Sequence, residues 1–284
     1  MAQTMSKILY LTDLDGTLLH SGAGISEYTV DIVNRLINAG ECFSYATARS
    51  LVSASKITAQ LDLQHPVICY NGGFIIDPNS REIISAQYFD KDDVGYIVNV
   101  LEENGVYLVV YAYIDGVERV SYVNCRVNSG IQHYLDSRRG DVRLREAKSL
   151  DEFYYGDIFY FLCIGDEEQM KVISEIFKAD GRMNCIFHKE LYTDDWWCEL
   201  MPIKADKGLA AIKLKEMLGA AKLVVFGDAV NDLPMFAVAD ESYAMADAVP
   251  ELKAAASAVI DSNNEDGVAC WLAENAIESN KIDK

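Results

Sequence analysis

The feature that most constrains the fold is a short apolar segment, KILYLT (residues 7–12), that ends in acids. An apolar run of this length without alternation is typical of a strand buried on both faces of a parallel sheet. Asp13 and Asp15 follow it directly, two residues apart, where their carboxylates repel each other. The sequence therefore predicts a buried strand whose carboxyl end carries two acids, and that arrangement needs a chemical reason.

The segments that follow alternate between helical and strand-like patterns. Residues 42–47 and 66–71 are apolar, strand-like runs, and stretches with helical periodicity separate them. The alternation returns late in the chain, where a helix that begins at Lys207 precedes an apolar run over residues 222–227. Such alternation predicts an α/β fold with a parallel, Rossmann-like sheet and right-handed crossovers.

The middle of the chain has a different pattern, with long strand-like runs such as YLVVYAYIDG and DIFYFLCIG between helical stretches. We interpret residues 83–199 as a separate α+β domain inserted into the parallel-sheet domain. The core domain is then expected over residues 1–82 and 200–284. A basic stretch, SRRGDVRLRE (residues 137–146), lies within the insertion and is either a recruiting surface for a phosphorylated substrate or a solvated surface.

Composition excludes several classes of partner. The 284 residues carry a formal charge of −19, which argues against nucleic acid or an anionic membrane as a partner. No apolar run approaches the ~20 residues that span a bilayer, and we expect no signal peptide at the start. The seven cysteines are dispersed, which favours reduced thiols and a cytoplasmic location. We expect a monomer or a homodimer.

Polar side chains recur where the predicted strands end, and active sites of open α/β sheets form at that edge. They are Asp13, Asp15, Thr47, Arg49, Asn71, Asp228 and Asp232, with Lys207 at the start of a helix. Taken singly, each motif is more typical of a turn, a helix cap or a solvated lysine. Their recurrence in order favours one shared site.

Four carboxylates in a small space require a counter-charge, and Mg²⁺ prefers oxygen ligands. A carboxylate can attack phosphorus while metal and lysine spread the negative charge of the phosphoryl oxygens. A second carboxyl group can then protonate the leaving oxygen and later deprotonate water. Gly16 would let the backbone approach the phosphate closely.

Four of these segments together resemble the motifs of a known family. DLDGTLL, ATAR, ADKG and GDAVNDLPMF follow each other in the order of the motifs of haloacid dehalogenase-like phosphatases. YNGG and the segment from residue 244 to residue 272 are similar to patterns of the Cof-type branch of this superfamily. The resemblance covers residues 7–80 and 200–275, and it implies a Rossmann-like core with an inserted cap.

The resemblance also implies roles for individual residues. Asp13 is the expected nucleophile and Asp15 the expected general acid/base, while Thr47 and Lys207 hold the phosphoryl group. Asp228 is expected to bind Mg²⁺ with the Asp13 carboxylate and the Asp15 carbonyl. The remaining expectations are support of the metal or Lys207 by Asp232, a phosphate contact by Asn231, and site-lining positions for Arg49 and Asn71. Ala48 and the segment 246–248 depart from the usual pattern, and Asp247 adds a negative charge.

We therefore expect a Mg²⁺-dependent phosphatase that acts on a small phosphorylated metabolite through an aspartyl-phosphate intermediate. The cap would close over the site and choose the substrate, with a sugar phosphate as the first candidate by analogy. A phosphomutase or phosphotransferase would use the same residues. A phospho-acceptor signalling module and an inactive binding protein are further alternatives, disfavoured respectively by the acid at position 15 and by the full catalytic set.

Overall fold

The computed structural model describes residues 7–22, 24–190 and 193–277. The chain forms two compact units, one built from the segments up to residue 86 and from residue 205 onward, the other from Gln87–Lys204. Residues 1–6, in which no signal peptide is expected, lie outside the described residues. Within the described part of the chain, no helix is long and apolar enough to cross a membrane.

The secondary-structure elements are as follows. The strands are β1 (Ile8–Thr12), β2 (Cys42–Tyr45), β3 (Val67–Cys69), β4 (Phe74–Ile76), β5 (Ile83–Ala86), β6 (Leu108–Ile114), β7 (Val117–Tyr122), β8 (Leu144–Glu146), β9 (Asp157–Gly165), β10 (Met183–Lys189), β11 (Trp196–Pro202), β12 (Lys222–Gly227), β13 (Glu241–Met245) and β14 (Ala258–Ile260). The helices are α1 (Glu27–Asn38), α2 (Leu51–Ile57), α3 (Lys91–Glu103), α4 (Ser129–Ser137), α5 (Leu150–Phe153), α6 (Glu167–Asp180), α7 (Lys207–Leu218), α8 (Leu233–Val238), α9 (Pro250–Ala255) and α10 (Gly267–Leu272).

The first unit contains a parallel five-stranded sheet in the order β14-β13-β12-β1-β2. β1 lies between β12 and β2, with Leu9 paired to both Leu223 and Cys42. Leu9 on one face of β1 and its neighbour Tyr10 on the other are both buried, as expected for a strand covered on both sides. The predicted parallel α/β sheet is confirmed, and its carboxyl edge is where β1 and β12 both end.

The strand predicted over residues 66–71 does not continue the parallel sheet. β3 pairs antiparallel with β4, which pairs antiparallel with β5, and a single parallel bridge from Ala46 to Ile68 joins this sheet to the end of β2. The backbone reverses because Tyr70, Asn71 and Gly72 have φ of 51°, 52° and 96°. Three consecutive residues in the left-handed region turn the chain back as a hairpin.

The second unit is an α+β domain, as the sequence indicates. Its sheet has the order β10-β11-β9-β6-β7-β8, antiparallel except for the parallel pair β7 and β8. α3 and α6 contribute Leu101 and Phe177 to an apolar core that also contains Phe161 of β9. β5, which the sequence analysis placed in the insertion, pairs with β4 in the first unit.

Candidate active site

The parallel register of the sheet brings two acidic loops to the same edge. Asp13 follows β1, and its backbone N–H donates to the carbonyl of Phe226 in β12 at 2.9 Å. β12 ends at Gly227, so that Asp228 follows at the same level of the sheet. Asp13 is buried and Asp228 is partly buried. Two acids 215 positions apart in the chain therefore belong to one cluster.

Lys207 is the cation of this cluster. Its ammonium nitrogen lies 2.6 Å from Asp13 Oδ1 and 2.7 Å from Asp232 Oδ1, and its side chain has no exposed surface. Burial opposes the charge of Lys207, but the two carboxylates raise its pKa above the ordinary value. The lysine is therefore a permanently charged, buried bridge between two acids.

The start of α7 positions Lys207. Asp206 is the N-cap of α7, and its Oδ1 accepts from the backbone N–H of Leu209 at 2.8 Å. At Gly208 a Cβ would clash with the carbonyl of Pro234, so a glycine is needed where α7 passes this segment. The cap and the close approach together fix the first turn of the helix that carries the lysine.

Asp232 has both of its carboxylate oxygens engaged. Oδ1 accepts from Lys207, while Oδ2 accepts from the backbone N–H groups of Asp228 at 2.9 Å and Ala229 at 3.0 Å. A Cβ at Gly227 would lie 2.7 Å from Asp232 Oδ2, so the glycine makes room for this carboxylate. Asp232 thereby orients the loop of Asp228 and the lysine at once.

Asp228 is held by the loop that follows β1. The Thr17 hydroxyl donates to Asp228 Oδ1 at 3.0 Å. Gly16 has φ of +76°, and a Cβ there would collide with the Asp228 carboxylate. The sequence analysis assigned Gly16 to the approach of a phosphate. In the structure the Asp228 carboxylate occupies the space that a Cβ at Gly16 would fill, so a glycine is needed here, and its approach to a phosphate stays a prediction.

Three carboxylates converge in this cluster. One oxygen each of Asp13, Asp228 and Asp232 lies within 4.8 Å of the others, whereas the Asp15 side chain is not part of the group. Burial and the charges of Asp232 and Asp228 raise the pKa of Asp13 to about 8, although Lys207 acts to lower it. Burial and the charge of Asp232 raise the pKa of Asp228 to about 6. The cluster has an excess of negative charge that a cation would relieve.

Asp15 points to a different partner, Arg49. The guanidinium donates to Asp15 through Nε at 2.7 Å and Nη2 at 2.5 Å, a two-point contact with both carboxylate oxygens. Arg49 is further tied to Ser53 Oγ at 3.2 Å. Asp15 is half-exposed, in contrast to the buried Asp13. The two acids that the sequence places together therefore occupy different environments.

Thr47, Asn71 and Asn231 form a second chain of contacts. Thr47 Oγ1 accepts from the backbone N–H of Arg49 at 3.1 Å, and the Thr47 carbonyl accepts from that of Asn71 at 2.9 Å. Asn231 donates to the Asn71 side-chain oxygen at 3.0 Å. Asn71 makes this contact from a left-handed backbone conformation, with φ of 52°.

The residues predicted for the site thus form two connected groups. One contains Asp13, Gly16, Lys207, Asp228 and Asp232, and the other contains Asp15, Thr47, Arg49, Asn71 and Asn231. Sequence reasoning missed Thr17, Asp206 and Gly227. A hydroxyl two residues after an acid, a helix-capping Asp and a strand-ending Gly are the signals that could have indicated them.

Comparison with known proteins identifies the family of this chain. The family model of haloacid dehalogenase-like hydrolases matches residues 10–272, so the chain belongs to this family. Bacillus subtilis YwtE, named 5-amino-6-(5-phospho-D-ribitylamino)uracil phosphatase, is 27% identical over 279 residues, covering 92% of this chain and 95% of the relative. B. subtilis YitU, which has the same enzyme name, is 27% identical over 271 residues, with coverage of 94% and 96%.

Solved structures agree with the fold. A Thermotoga maritima protein of 28% identity aligns with a TM-score of 0.74, covering 95% of this chain and 98% of the other. A haloacid dehalogenase-like hydrolase from Bacteroides thetaiotaomicron, 24% identical, aligns with a TM-score of 0.76 and coverage of 94% and 99%. The predicted family, fold class and enzyme class are confirmed. The protein is a haloacid dehalogenase-like hydrolase of the phosphatase class.

Proposed function

We propose that the protein is a Mg²⁺-dependent phosphatase that hydrolyses a small phosphorylated metabolite through an aspartyl-phosphate. The observation that carries this proposal is the buried lysine bridge, in which Lys207 contacts Asp13 and Asp232 beside Asp228. Asp13 is a buried acid that contacts a lysine and lies beside a further acid. This arrangement suits nucleophilic attack on an anionic phosphate better than it suits a purely structural role.

The donor set fits a hard divalent cation. Asp13 and Asp228 supply carboxylate oxygens, and burial together with neighbouring acids raises the pKa of both. Asp232 meets three donors, so we assign it to orienting Lys207 and the loop rather than to binding the metal. Mg²⁺ at Asp13 and Asp228 would supply charge neutralisation for the transferring phosphoryl group.

The residues then divide the chemistry between them. Lys207 holds Asp13 Oδ1, which assigns the attack on phosphorus to Oδ2. A bond forms from Oδ2 to phosphorus as the bond to the leaving oxygen breaks, and Asp15 gives that oxygen its proton. Asp15 then takes a proton from water, which attacks the aspartyl-phosphate, releases inorganic phosphate and restores the Asp13 carboxylate. Arg49 fixes the position of the Asp15 carboxylate.

Phosphate contacts are proposed for a further set of groups. Thr47 and Asn231 join Lys207 as donors to phosphoryl oxygens, with Arg49 and Asn71 lining the site. We further propose that the unit formed by Gln87–Lys204 is a cap that selects the substrate. A sugar phosphate is the first candidate. The substrate in the names of YwtE and YitU has a phosphorylated ribityl chain, which supports a phosphorylated polyol or sugar.

We also propose a cytoplasmic protein, monomeric or homodimeric, without nucleic acid or membrane partners. The formal charge of −19 and the seven free cysteines support this proposal.

A screen of phosphorylated metabolites with Mg²⁺, scored by released phosphate, tests the proposed function. We expect turnover with Mg²⁺, no turnover with chelator, and a loss of about 10³-fold or more for Asp13→Asn, since its amide is not a nucleophile. Asp31→Asn, an exposed acid on α1, is the matched control and should retain full activity. Phosphate release by Asp13→Asn at the parent rate would contradict the assignment of the nucleophile.

A further inference from the structure

Most arginine side chains of the stretch 137–146 make contacts within the second unit. Arg138 lies over the ring of Tyr134 at 3.8 Å, and Arg139 pairs with Asp136 at 2.7 Å. Arg143, largely buried, pairs with Asp141 and Glu118 at 2.6 and 2.7 Å. Arg145 in β8 is the remaining arginine of the stretch, and it faces a surface groove.

This groove lies within the second unit and has a volume of about 710 Å³. That size is suited to a small molecule. Cations line one part of it and apolar side chains another: Arg119, Arg145 and Lys148, with Val117, Leu144 and Tyr155. Tyr155 is 56% exposed, so its ring offers a stacking surface. The proposed catalytic residues all belong to the first unit.

The two arginine side chains are already held in place, which favours binding because they lose little conformational freedom when a ligand binds. Arg145 Nη1 donates to the carbonyl of Glu152 at 2.9 Å, and Arg119 Nη1 donates to that of Val142 at 3.0 Å. The Arg119 contact is with a carbonyl oxygen, which carries no full charge, whereas Arg145 also pairs with the Glu152 carboxylate. Within the described part of the chain, the ammonium group of Lys148 makes no ion pair.

Two acids also line the groove. Glu152 accepts from the backbone N–H of Lys148 at 3.0 Å and lies 3.8 Å from Arg145, so it is engaged by its neighbours. Asp115 is in the turn between β6 and β7, with φ of 50°. Three cations against two acids give the groove a positive balance in a chain whose formal charge is −19.

We propose that this groove binds a phosphorylated small molecule with an attached ring, of the nucleoside monophosphate type. The phosphate meets Lys148, Arg119 and Arg145, since clustered guanidinium and ammonium groups suit phosphate oxygens. The ring packs against Tyr155 and Val117. This binding site does not depend on the proposed catalytic function, because none of its residues takes part in that chemistry.

Titration calorimetry on the full chain in EDTA, with adenosine monophosphate, inorganic phosphate and adenosine as probes, tests the proposal. We expect adenosine monophosphate to bind more tightly than either fragment. Lys148→Gln and Arg119→Gln should each weaken binding about fivefold, the scale of one lost charge contact near the surface. Asp115→Asn should strengthen binding, because it removes a repulsive charge and asparagine tolerates the left-handed backbone. Lys171→Gln, an exposed lysine on α6, is the matched control.

Phosphatase turnover by Lys148→Gln should equal that of the parent, which separates this site from the catalytic one. Equal binding of the nucleotide by the parent, Lys148→Gln and Arg119→Gln would overturn the proposal. Equal affinity for inorganic phosphate and the nucleotide would overturn the assignment of the apolar wall.

Discussion

Lys207 and Asp232 form an ion pair in which neither side chain has exposed surface, with 2.7 Å between Nζ and Oδ1. The second oxygen of Asp232 caps the backbone of the loop that carries Asp228. One carboxylate thus joins Lys207 to the proposed metal-binding loop. A change at Asp232 is therefore expected to affect folding and chemistry together.

The first prediction concerns Asp232→Ala. Breaking a buried ion pair leaves Lys207 with one carboxylate, so we expect a loss of about 3–5 kcal/mol in the free energy of unfolding. Asp232→Asn should also be strongly destabilised, because its amide must place an NH₂ group against Lys207 or the backbone N–H groups. Urea denaturation followed by circular dichroism measures both.

Asp240→Asn is the control for this change. Asp240 also accepts from a lysine and a backbone N–H, Lys215 and Leu223, each at 2.7 Å, but its side chain is 45% exposed. We expect a cost of about 1 kcal/mol or less. Equal losses at positions 232 and 240 would show that burial of the pair does not matter.

The second prediction concerns Gly16→Ala. The added Cβ collides with the Asp228 carboxylate and the residue must keep φ of +76°, so we expect lower stability and loss of both Mg²⁺ binding and turnover. Gly219→Ala is the matched control, since Gly219 has φ of +62° with open space around it. It should cost only about 1–2 kcal/mol and keep full turnover. Thermal denaturation measures the loss of stability, and phosphate release measures turnover. Normal turnover by Gly16→Ala would contradict the predicted collision with Asp228.

The third prediction concerns the pH dependence of Mg²⁺ binding. Burial and neighbouring acids raise the pKa of Asp13 to about 8 and that of Asp228 to about 6. A buried acid with a raised pKa stabilises the fold at low pH, and this contribution is lost as pH rises through the folded value. The metal-free protein should therefore become less stable from about pH 5 to pH 8.

Mg²⁺ binds the deprotonated carboxylates, so its addition should raise the melting temperature more at about pH 8 than at pH 5. Differential scanning calorimetry with EDTA or saturating Mg²⁺ at each pH measures the gain. Asp228→Asn should abolish the gain and Asp240→Asn should preserve it. A gain that is independent of pH would argue against these two acids as the ligands.

The fourth prediction concerns Asp266, whose Oδ1 contacts Ser26 Oγ at 2.6 Å, Thr29 Oγ1 at 2.9 Å and His20 Nε2 at 2.8 Å. Burial alone would raise its pKa, but these three groups hold the pKa below its ordinary value. Asp266→Asn should cost about 1–2 kcal/mol near pH 7, because charge-assisted hydrogen bonds become neutral ones. The left-handed backbone at this position tolerates asparagine.

The cost at position 266 should be constant above the unfolded pKa of about 3.9 and should vanish as pH falls through the lower folded value. Urea denaturation of the parent and Asp266→Asn across this range measures the difference. Asp31→Asn removes an exposed pair with Arg35 and should cost about 0.5 kcal/mol or less at every pH. A cost at position 266 that persists at low pH would assign the effect to shape instead of charge.

Elements with local signals could be predicted from the sequence. β12 covers residues 222–227 as predicted, because its apolar run has no competing pattern. α7 begins at Lys207 and ends before Gly219, whose left-handed φ of 62° makes it a helix stop. Signals of this kind lie within a few residues of the element that they define.

The partner of β3 could not be predicted in this way. Its position depends on left-handed backbone at Asn71 and at Tyr70, and a tyrosine rarely adopts that conformation. Hydrogen bonds from Tyr70 and Asn71 N–H groups to the carbonyls of Arg49 and Thr47 hold this turn, and those contacts exist only in the folded chain.

The position of Asp13 and Asp228 at one edge followed from the rule that parallel strands end at the same edge of a sheet. The partner of each side chain did not follow from it. Asp15 pairs with Arg49 and Asp228 with Thr17 because of the direction in which each loop leaves its strand. The spacing of these residues along the chain does not indicate that direction.

The buried ion pair of Lys207 and Asp232 also restricts which substitutions an inactive descendant of this protein can carry. A descendant that loses the lysine alone leaves Asp13 and Asp232 buried without their cation, and one that loses Asp232 alone leaves Lys207 with a single carboxylate. Replacement of Lys207, Asp232 and Asp13 together by apolar residues removes that penalty, since a matched apolar set is often as stable as the buried ions it succeeds. Inactive descendants of this chain should therefore show coordinated changes at positions 13, 207 and 232.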